Sequence, residues 1–124
     1  MNRKRFLIIC LVILGLLAAA AILHGKKIAK SGALSEAVIA ITKDGFIPNR
    51  VTLQAGAAAR WVNESDVDKV SVNSDNYPDN KLYRELNLGQ FNKGSSVMHT
   101  FLTPGTYTYH NQFNPEQTGT IVVK

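Results

Sequence analysis

Hydrophobic and polar residues alternate along most of the chain beyond residue 36, with the period of two that is typical of half-buried strands. Seven segments carry this alternation or a β-rich composition: 37–42, 50–54, 58–63, 69–73, 97–102, 107–113 and 120–123. No convincing amphipathic helix interrupts them. The pattern therefore predicts an all-β sandwich of about seven to eight strands.

Turn-forming residues separate these segments. Gly, Pro or Asn stands where the chain must reverse direction, at 44–45, 55–56, 73–76, 93–94 and 104–105. Residues 77–88 follow no clear pattern, and both a short helix and an irregular crossover are compatible with them.

An apolar run of 18 uncharged residues, 6–23, precedes the predicted strands. As a helix it would be about 27 Å long, which is just enough to span a bilayer. We divide the chain into a membrane anchor or signal segment (1–25), a juxtamembrane linker (26–36) and a folded domain (37–124). The run is longer than the apolar core of most cleavable signal peptides, which favours an uncleaved anchor; the alternative is secretion after cleavage near residues 18–20.

The net charge of +5 belongs to the N-terminal part of the chain. Residues 1–36 contain six basic side chains and one acidic one, whereas residues 37–124 contain eight of each. A nucleic-acid-binding domain would carry its basic residues on the folded part, so nucleic acid is not expected as a partner. The single cysteine, Cys10, lies in the apolar run, so the domain has no disulfide.

Several motifs of the domain resemble those of cupredoxins, the β-sandwich family of plastocyanin and amicyanin. They are Phe46-Ile47-Pro48, Trp61-Val62-Asn63, Leu88 to Gly94, Phe101 to Tyr109 and, as in a bacterial subgroup of cupredoxin-like domains, Tyr109 to Pro115. The resemblance covers about residues 37–124 and implies a Greek-key order of strands. Such domains usually work outside the cytoplasm, and we therefore expect a single-pass membrane protein whose C-terminal domain lies outside.

The resemblance also identifies the positions at which copper-binding cupredoxins carry their ligands. A Cys-x2-His-x2-Met loop and an upstream histidine correspond here, with the spacing retained, to Asn111, Asn114, Gln117 and Lys69. Type 1 copper needs a thiolate and two imidazoles, with a weak axial ligand. Neutral carboxamides bind copper poorly and an ammonium has no lone pair, so Gln117 alone could serve, as the axial ligand. The ligand set is therefore degenerate, and no cofactor is expected.

The three carboxamides offer hydrogen-bond donors and acceptors, which we interpret as a metal-free means of keeping the loop ordered. Copper is the alternative cofactor, held by His110, His99 or a terminal group. Strand parity places His99 on the same inward side as Phe101, as a hydrogen-bonded histidine. It directs His110 away from the former copper position, and we expect that imidazole to be exposed.

These features favour a binding or structural module; the alternative is a copper-binding or electron-transfer protein with a non-standard metal site. No arrangement of nucleophile and base is recognisable, so an enzyme is not expected. We expect a protein partner at the cell surface to dock at the end of the sandwich that carries residues 69–71 and 111–117. Tyr77, Phe113 and Pro115 would supply apolar contacts. The alternative for Phe113 is a ring that folds back onto the core.

Overall fold

A computed structural model describes residues 35–124, which form two packed β-sheets. Nine strands follow one another along the chain: β1 (Ala37–Thr42), β2 (Gly45–Ile47), β3 (Arg50–Leu53), β4 (Ala58–Asn63), β5 (Val70–Ser74), β6 (Gly89–Phe91), β7 (Ser96–Thr100), β8 (Gly105–Asn111) and β9 (Asn114–Val123). One sheet has the order β2-β1-β4-β7 and the other β3-β9-β8-β5-β6. The predicted all-β sandwich is confirmed, with nine strands in place of seven to eight.

The chain passes repeatedly from one sheet to the other, which brings distant segments together. β1 pairs with β4 in parallel, with Ile39 opposite Trp61, and β3 pairs with β9 in parallel. β8 and β9 form an antiparallel hairpin. As a result, the C-terminal ends of β1 and β4 lie at the same edge of their sheet.

Aromatic rings occupy the centre of the sandwich. Trp61, Phe101 and Tyr109 are fully buried, and Tyr109 packs edge-on against Trp61 at 5.3 Å and against Phe46 at 4.8 Å. Gly119 faces Tyr109 across the hairpin, and any Cβ at this position would overlap the Tyr109 ring. The alternating pattern read from the sequence therefore corresponds to a core between the sheets.

Three elements differ from the sequence-based expectation. β2 and β6, each three residues long, were not expected, and β9 begins at Asn114 where the pattern predicted a start at residue 120. The presumed ligand loop is consequently a two-residue turn, Gln112 and Phe113. The segment 77–88 is irregular apart from one 3-10 turn, Arg84–Leu86.

The predicted membrane anchor (1–25) lies outside the described residues, as does the linker (26–36) except for its last two positions. Glu36, at the end of that linker, forms an ion pair with Arg60 of β4. Among residues 35–124, no helix has the length and apolar character needed to cross a membrane.

Candidate functional site

Strand ends meet around a cavity of about 240 Å³ at one end of the sandwich. β1 and β4 end here, β5 and β9 begin here, and β8 ends here. We call this space the end cavity; it is lined by Thr42, Lys43, Ser65, Val67, Lys69, Val70, Asn111, Phe113, Asn114 and Gln117. The four positions that the resemblance assigns to copper ligands, Lys69, Asn111, Asn114 and Gln117, all belong to this lining. The positions inferred from sequence spacing therefore lie together in space.

The loop that carries Lys69 is shaped by the buried side chain of Asn63. Its Nδ2 donates to the carbonyl of Val67 at 2.8 Å, and its Oδ1 accepts from Ser65 N at 3.1 Å and from Ser65 Oγ at 2.6 Å. The asparagine thus replaces backbone partners that an irregular loop lacks. The Trp-x-Asn motif is therefore a structural device that fixes the path from β4 to β5.

Asn111 forms the centre of the site and is 3% exposed. Its Oδ1 accepts hydrogen bonds from the backbone N–H groups of Ser71 and Phe113, both at 3.1 Å. Its Nδ2 donates to Gln117 Oε1 at 2.9 Å. A fourth bond, from Gln112 N to Ser71 Oγ at 2.9 Å, joins the same segments. The carboxamide therefore ties β5, the β8–β9 turn and β9 together.

The side chains at the end cavity do not fit type 1 copper. The strong ligands of that centre are a thiolate and two imidazoles, and the cavity lining contains neither cysteine nor histidine. The Asn111 oxygen already accepts hydrogen bonds from two backbone N–H groups, and Lys69 and Asn114 are exposed. Within residues 35–124, no three His, Cys, Asp or Glu side chains lie close enough to hold a metal ion.

The expectation that His110 is exposed is wrong, because its imidazole is 1% exposed. Nδ1 lies 2.7 Å from Asp75 Oδ1 and Nε2 lies 2.9 Å from Gln112 Oε1. The Tyr77 ring packs edge-on at 5.6 Å. The chain that follows β5 folds over this face of β8 and covers the imidazole, which the alternation within β8 could not indicate.

His99 lies where strand parity places it, half-buried and edge-on to Phe101 at 4.8 Å. Its Nε2 is 3.4 Å from the Tyr83 hydroxyl. Burial lowers the pKa of His99, because the charged imidazolium loses hydration, and the nearby Glu85 carboxylate opposes this effect. The residue therefore serves the packing of β7.

Of the three residues predicted to form a docking surface, only Phe113 lines the end cavity. Its side chain is half exposed, which contradicts a ring folded fully onto the core. Tyr77 is also about half exposed but contacts His110, and Pro115 is half-buried. Neither of these two residues belongs to the cavity lining.

Sequence reasoning did not identify four of the lining residues as part of the site, and Lys43 is the charged one; the others are Thr42, Ser65 and Val67. Lys43 follows β1 in the turn to β2, next to the cavity. Only the parallel pairing of β1 with β4 brings this turn to the same edge as the loop of Lys69. An Asp44-Gly45 turn signal was visible in the sequence, but nothing there indicated which strand would lie beside β1.

Comparison with known proteins agrees with this architecture. The model of the cupredoxin-like domain family matches residues 8–123. A purple cupredoxin from Nitrosopumilus maritimus is similar in structure, with a TM-score of 0.63 at 23% identity over 71% of this chain and 99% of that one. A mutant of amicyanin in its oxidised state has a TM-score of 0.62 at 23% identity, over 77% of this chain and 89% of that one.

A larger protein contains a similar domain. The Cu-containing nitrite reductase of Thermus scotoductus SA-01 has a TM-score of 0.63 at 18% identity, over 73% of this chain but 22% of that one. No curated protein matches the chain. At these identities the solved structures support the fold alone, while the family model spans most of the sequence. The chain therefore belongs to the cupredoxin-like domain family.

Proposed function

We propose that the chain is a membrane-anchored, extracytoplasmic cupredoxin-like module that works without type 1 copper, as a binding or structural protein. The observation that carries this proposal is the bonding of Asn111. At the position that resemblance assigns to the copper thiolate, a buried neutral carboxamide accepts two backbone N–H bonds and donates to Gln117. Bonds of this kind hold the segments that a metal would otherwise hold.

The alternative is a copper-binding or electron-transfer protein with a non-standard metal site. It is supported by the presence of a copper protein among the proteins of similar structure. Its candidate ligands are His110 and His99. Both ring nitrogens of His110 already face acceptors inside the fold, so coordination would displace one of these partners at a cost. His99 belongs to no group of three His, Cys, Asp or Glu side chains within residues 35–124 that could hold a metal ion.

The proposed function is non-catalytic. Ser65 lines the end cavity and carries a hydroxyl that could in principle be a nucleophile, but its Oγ donates to Asn63 Oδ1 at 2.6 Å. An activated nucleophile would instead have a general base within hydrogen-bonding distance. The hydrogen bonds of Ser65 therefore indicate a structural role in its loop.

A copper titration of the full-length protein tests the proposal. We expect no intense visible absorption on addition of copper(II) and no change in melting temperature, because a ligand that binds only the native state must stabilise it. A positive control combines Lys69→His, Asn111→Cys and Asn114→His, which supplies the missing donors at the same positions. A stoichiometric copper complex of the unmodified chain that raises its melting temperature would overturn the proposal in favour of the alternative.

Phe113 provides a second test, of the end cavity as a contact surface. Because its ring is half exposed, we expect Phe113→Ser to change the free energy of unfolding by less than about 1 kcal/mol. The matched control is Phe46→Ser, whose ring is 4% exposed and packs on Tyr109; loss of a core phenylalanine costs about 3–5 kcal/mol. Similar losses for both variants would mean that Phe113 is a core residue and is not available to a partner.

A further inference from the structure

The end cavity has a positive lining. Lys43 and Lys69 both border it, and none of its lining residues is Asp or Glu. The ion pairs of lysine and arginine side chains among residues 35–124 involve Arg60, Lys81 and Lys93. Neither lysine of the cavity therefore has a carboxylate partner within the described part of the chain. Two ammonium groups without an ion-pair partner at one opening favour an anion.

The carboxamides of the cavity add further donors. Each primary amide carries two N–H bonds, and Asn111 Nδ2 uses one of them, toward Gln117. Gln117 Nε2 reaches the Thr42 carbonyl only at 3.5 Å. The Asn114 side chain makes no hydrogen bond to any other residue of the region 35–124. Some amide N–H bonds at the cavity therefore have no hydrogen-bond partner within the described residues.

Besides Thr42 and Ser65, the remaining lining is apolar, and part of it is open to solvent. Val67 is 56% exposed and Phe113 is 50% exposed, while Val70 is buried. At about 240 Å³, the cavity is smaller than the pockets of about 300–1,000 Å³ that hold drug-sized ligands. A fitting ligand is therefore small, with an anionic head for the lysines and an apolar body for Val67 and Phe113.

A neighbouring depression has a different charge pattern. It is larger, at about 360 Å³, and shares Lys43, Asn114 and Gln117 with the end cavity, but it also contains Asp44 and Glu116. Those carboxylates would repel an anion. An anionic ligand is therefore expected to prefer the end cavity to this depression.

From this combination we propose that the end cavity binds a carboxylate attached to a small apolar body. Either a short organic acid or the C-terminal carboxylate of a peptide provides this chemistry. The proposal rests on the proposed copper-free function, because a metal centre at Asn111 would occupy the same space. It gives the lysine at the former histidine position a role, as one of the two cations that hold the carboxylate.

The test is a titration of the full-length protein. Binding is measured by calorimetry and by the NMR shifts of the backbone amide resonances of Lys69, Ser71 and Phe113. The probes are benzoate, its neutral isostere benzamide and the cation benzylammonium. We expect benzoate to bind and to shift these resonances, with weaker binding at high salt, and the two other probes not to bind. Equal binding of benzamide, or no binding of benzoate, would overturn the proposal.

Lysine variants locate the binding site. Lys43→Gln and Lys69→Gln should each weaken benzoate binding about threefold to fivefold, the effect of one partly exposed ion pair, and Lys69→Arg should retain it. Lys81→Gln removes the same charge outside the cavity and should change nothing. An equal loss in Lys81→Gln would mean that only net charge matters and would contradict the site.

Two further experiments are needed. One distinguishes between the two sources of the carboxylate, and the other distinguishes failure of the carboxylate site from failure of the copper-free function. A short peptide that ends in phenylalanine, compared with its C-terminal amide, identifies a peptide terminus if only the free acid binds; binding of benzoate alone identifies a small organic acid. Copper binding by the unmodified chain would overturn the copper-free function. Absence of benzoate binding without copper binding would overturn the carboxylate site alone.

Discussion

The side chain of Asn111 accepts hydrogen bonds from backbone N–H groups, as backbone carbonyls of neighbouring strands do elsewhere in the sandwich. The N–H group of Phe113 lies in the two-residue turn, and that of Ser71 lies near the start of β5, before the residues that pair with β8. The Asn111 oxygen accepts hydrogen bonds from both. Burial makes these bonds matter, because an unpaired N–H without water costs about as much as a lost hydrogen bond.

Replacing Asn111 with alanine should therefore destabilise the domain by about 2–4 kcal/mol, since two buried N–H groups lose their acceptor. Asn114→Ala is the matched control, because this exposed residue makes no side-chain bond within residues 35–124, and its effect should stay below about 0.5 kcal/mol. Chemical denaturation measures both. Equal effects of the two substitutions would contradict the role assigned to Asn111.

The half-buried His99 predicts a dependence of stability on pH. Its pKa is lowered from the ordinary 6.5 by burial, so the unfolded chain binds a proton at higher pH than the folded one does. The stabilising contribution is then complete above 6.5 and is lost as the pH falls through the lowered pKa. His99→Gln should weaken the dependence of the melting temperature on pH between neutral and mildly acidic conditions. An unchanged dependence in this variant would exclude His99 as the cause.

Residue-scale features could be predicted from the sequence only where they depend on spacing. The spacing of Lys69, Asn111, Asn114 and Gln117 predicted a set of positions, and the structure brings them to one cavity. The burial of His110 could not be predicted in this way, because Asp75 and Tyr77 cover it from a segment whose path no periodicity defines.

At the scale of elements, the β8–β9 hairpin shows how pairing can override composition. The first half of β9 contains Pro115, Glu116 and Gln117, which are poor strand formers, and the sequence pattern therefore placed the strand later. Pairing with β8 extends the strand back to Asn114. β1 and β4, which alternate clearly over six residues each, were predicted with their observed bounds, while three-residue strands are too short to show any alternation.

Gly119 is where this hairpin is most sensitive to substitution. A Cβ there would overlap Cζ and Oη of Tyr109, and that ring is fixed between Trp61 and Phe46. We expect Gly119→Ala to cost about 1–3 kcal/mol or more, the range of overpacked cores. Gly105→Ala, in the same strand pair, meets only Tyr107 at 3.4 Å and should be nearly neutral in thermal denaturation. A neutral Gly119→Ala would contradict the close packing described for Tyr109.

At the scale of the whole molecule, charge is divided unequally between the two parts of the chain. The basic excess of five lies within residues 1–36, and residues 37–124 have no net charge. The folded domain thus has little electrostatic attraction to an anionic membrane surface, whereas the flanks of the apolar run have such an attraction. Apolar insertion and electrostatic adsorption are consequently separable by experiment.

We expect the full-length protein to remain with membranes after a high-salt wash. The 18 uncharged residues of 6–23 would be held by transfer of apolar surface into lipid, which salt does not weaken, whereas basic residues bound to lipid headgroups are released by screening. The matched variant replaces Lys26, Lys27 and Lys30 with glutamine and should fractionate with membranes as before. Ultracentrifugation and immunoblotting measure both. Release of the unmodified chain by salt would show that the basic flanks alone bind the surface and would overturn the proposed anchor.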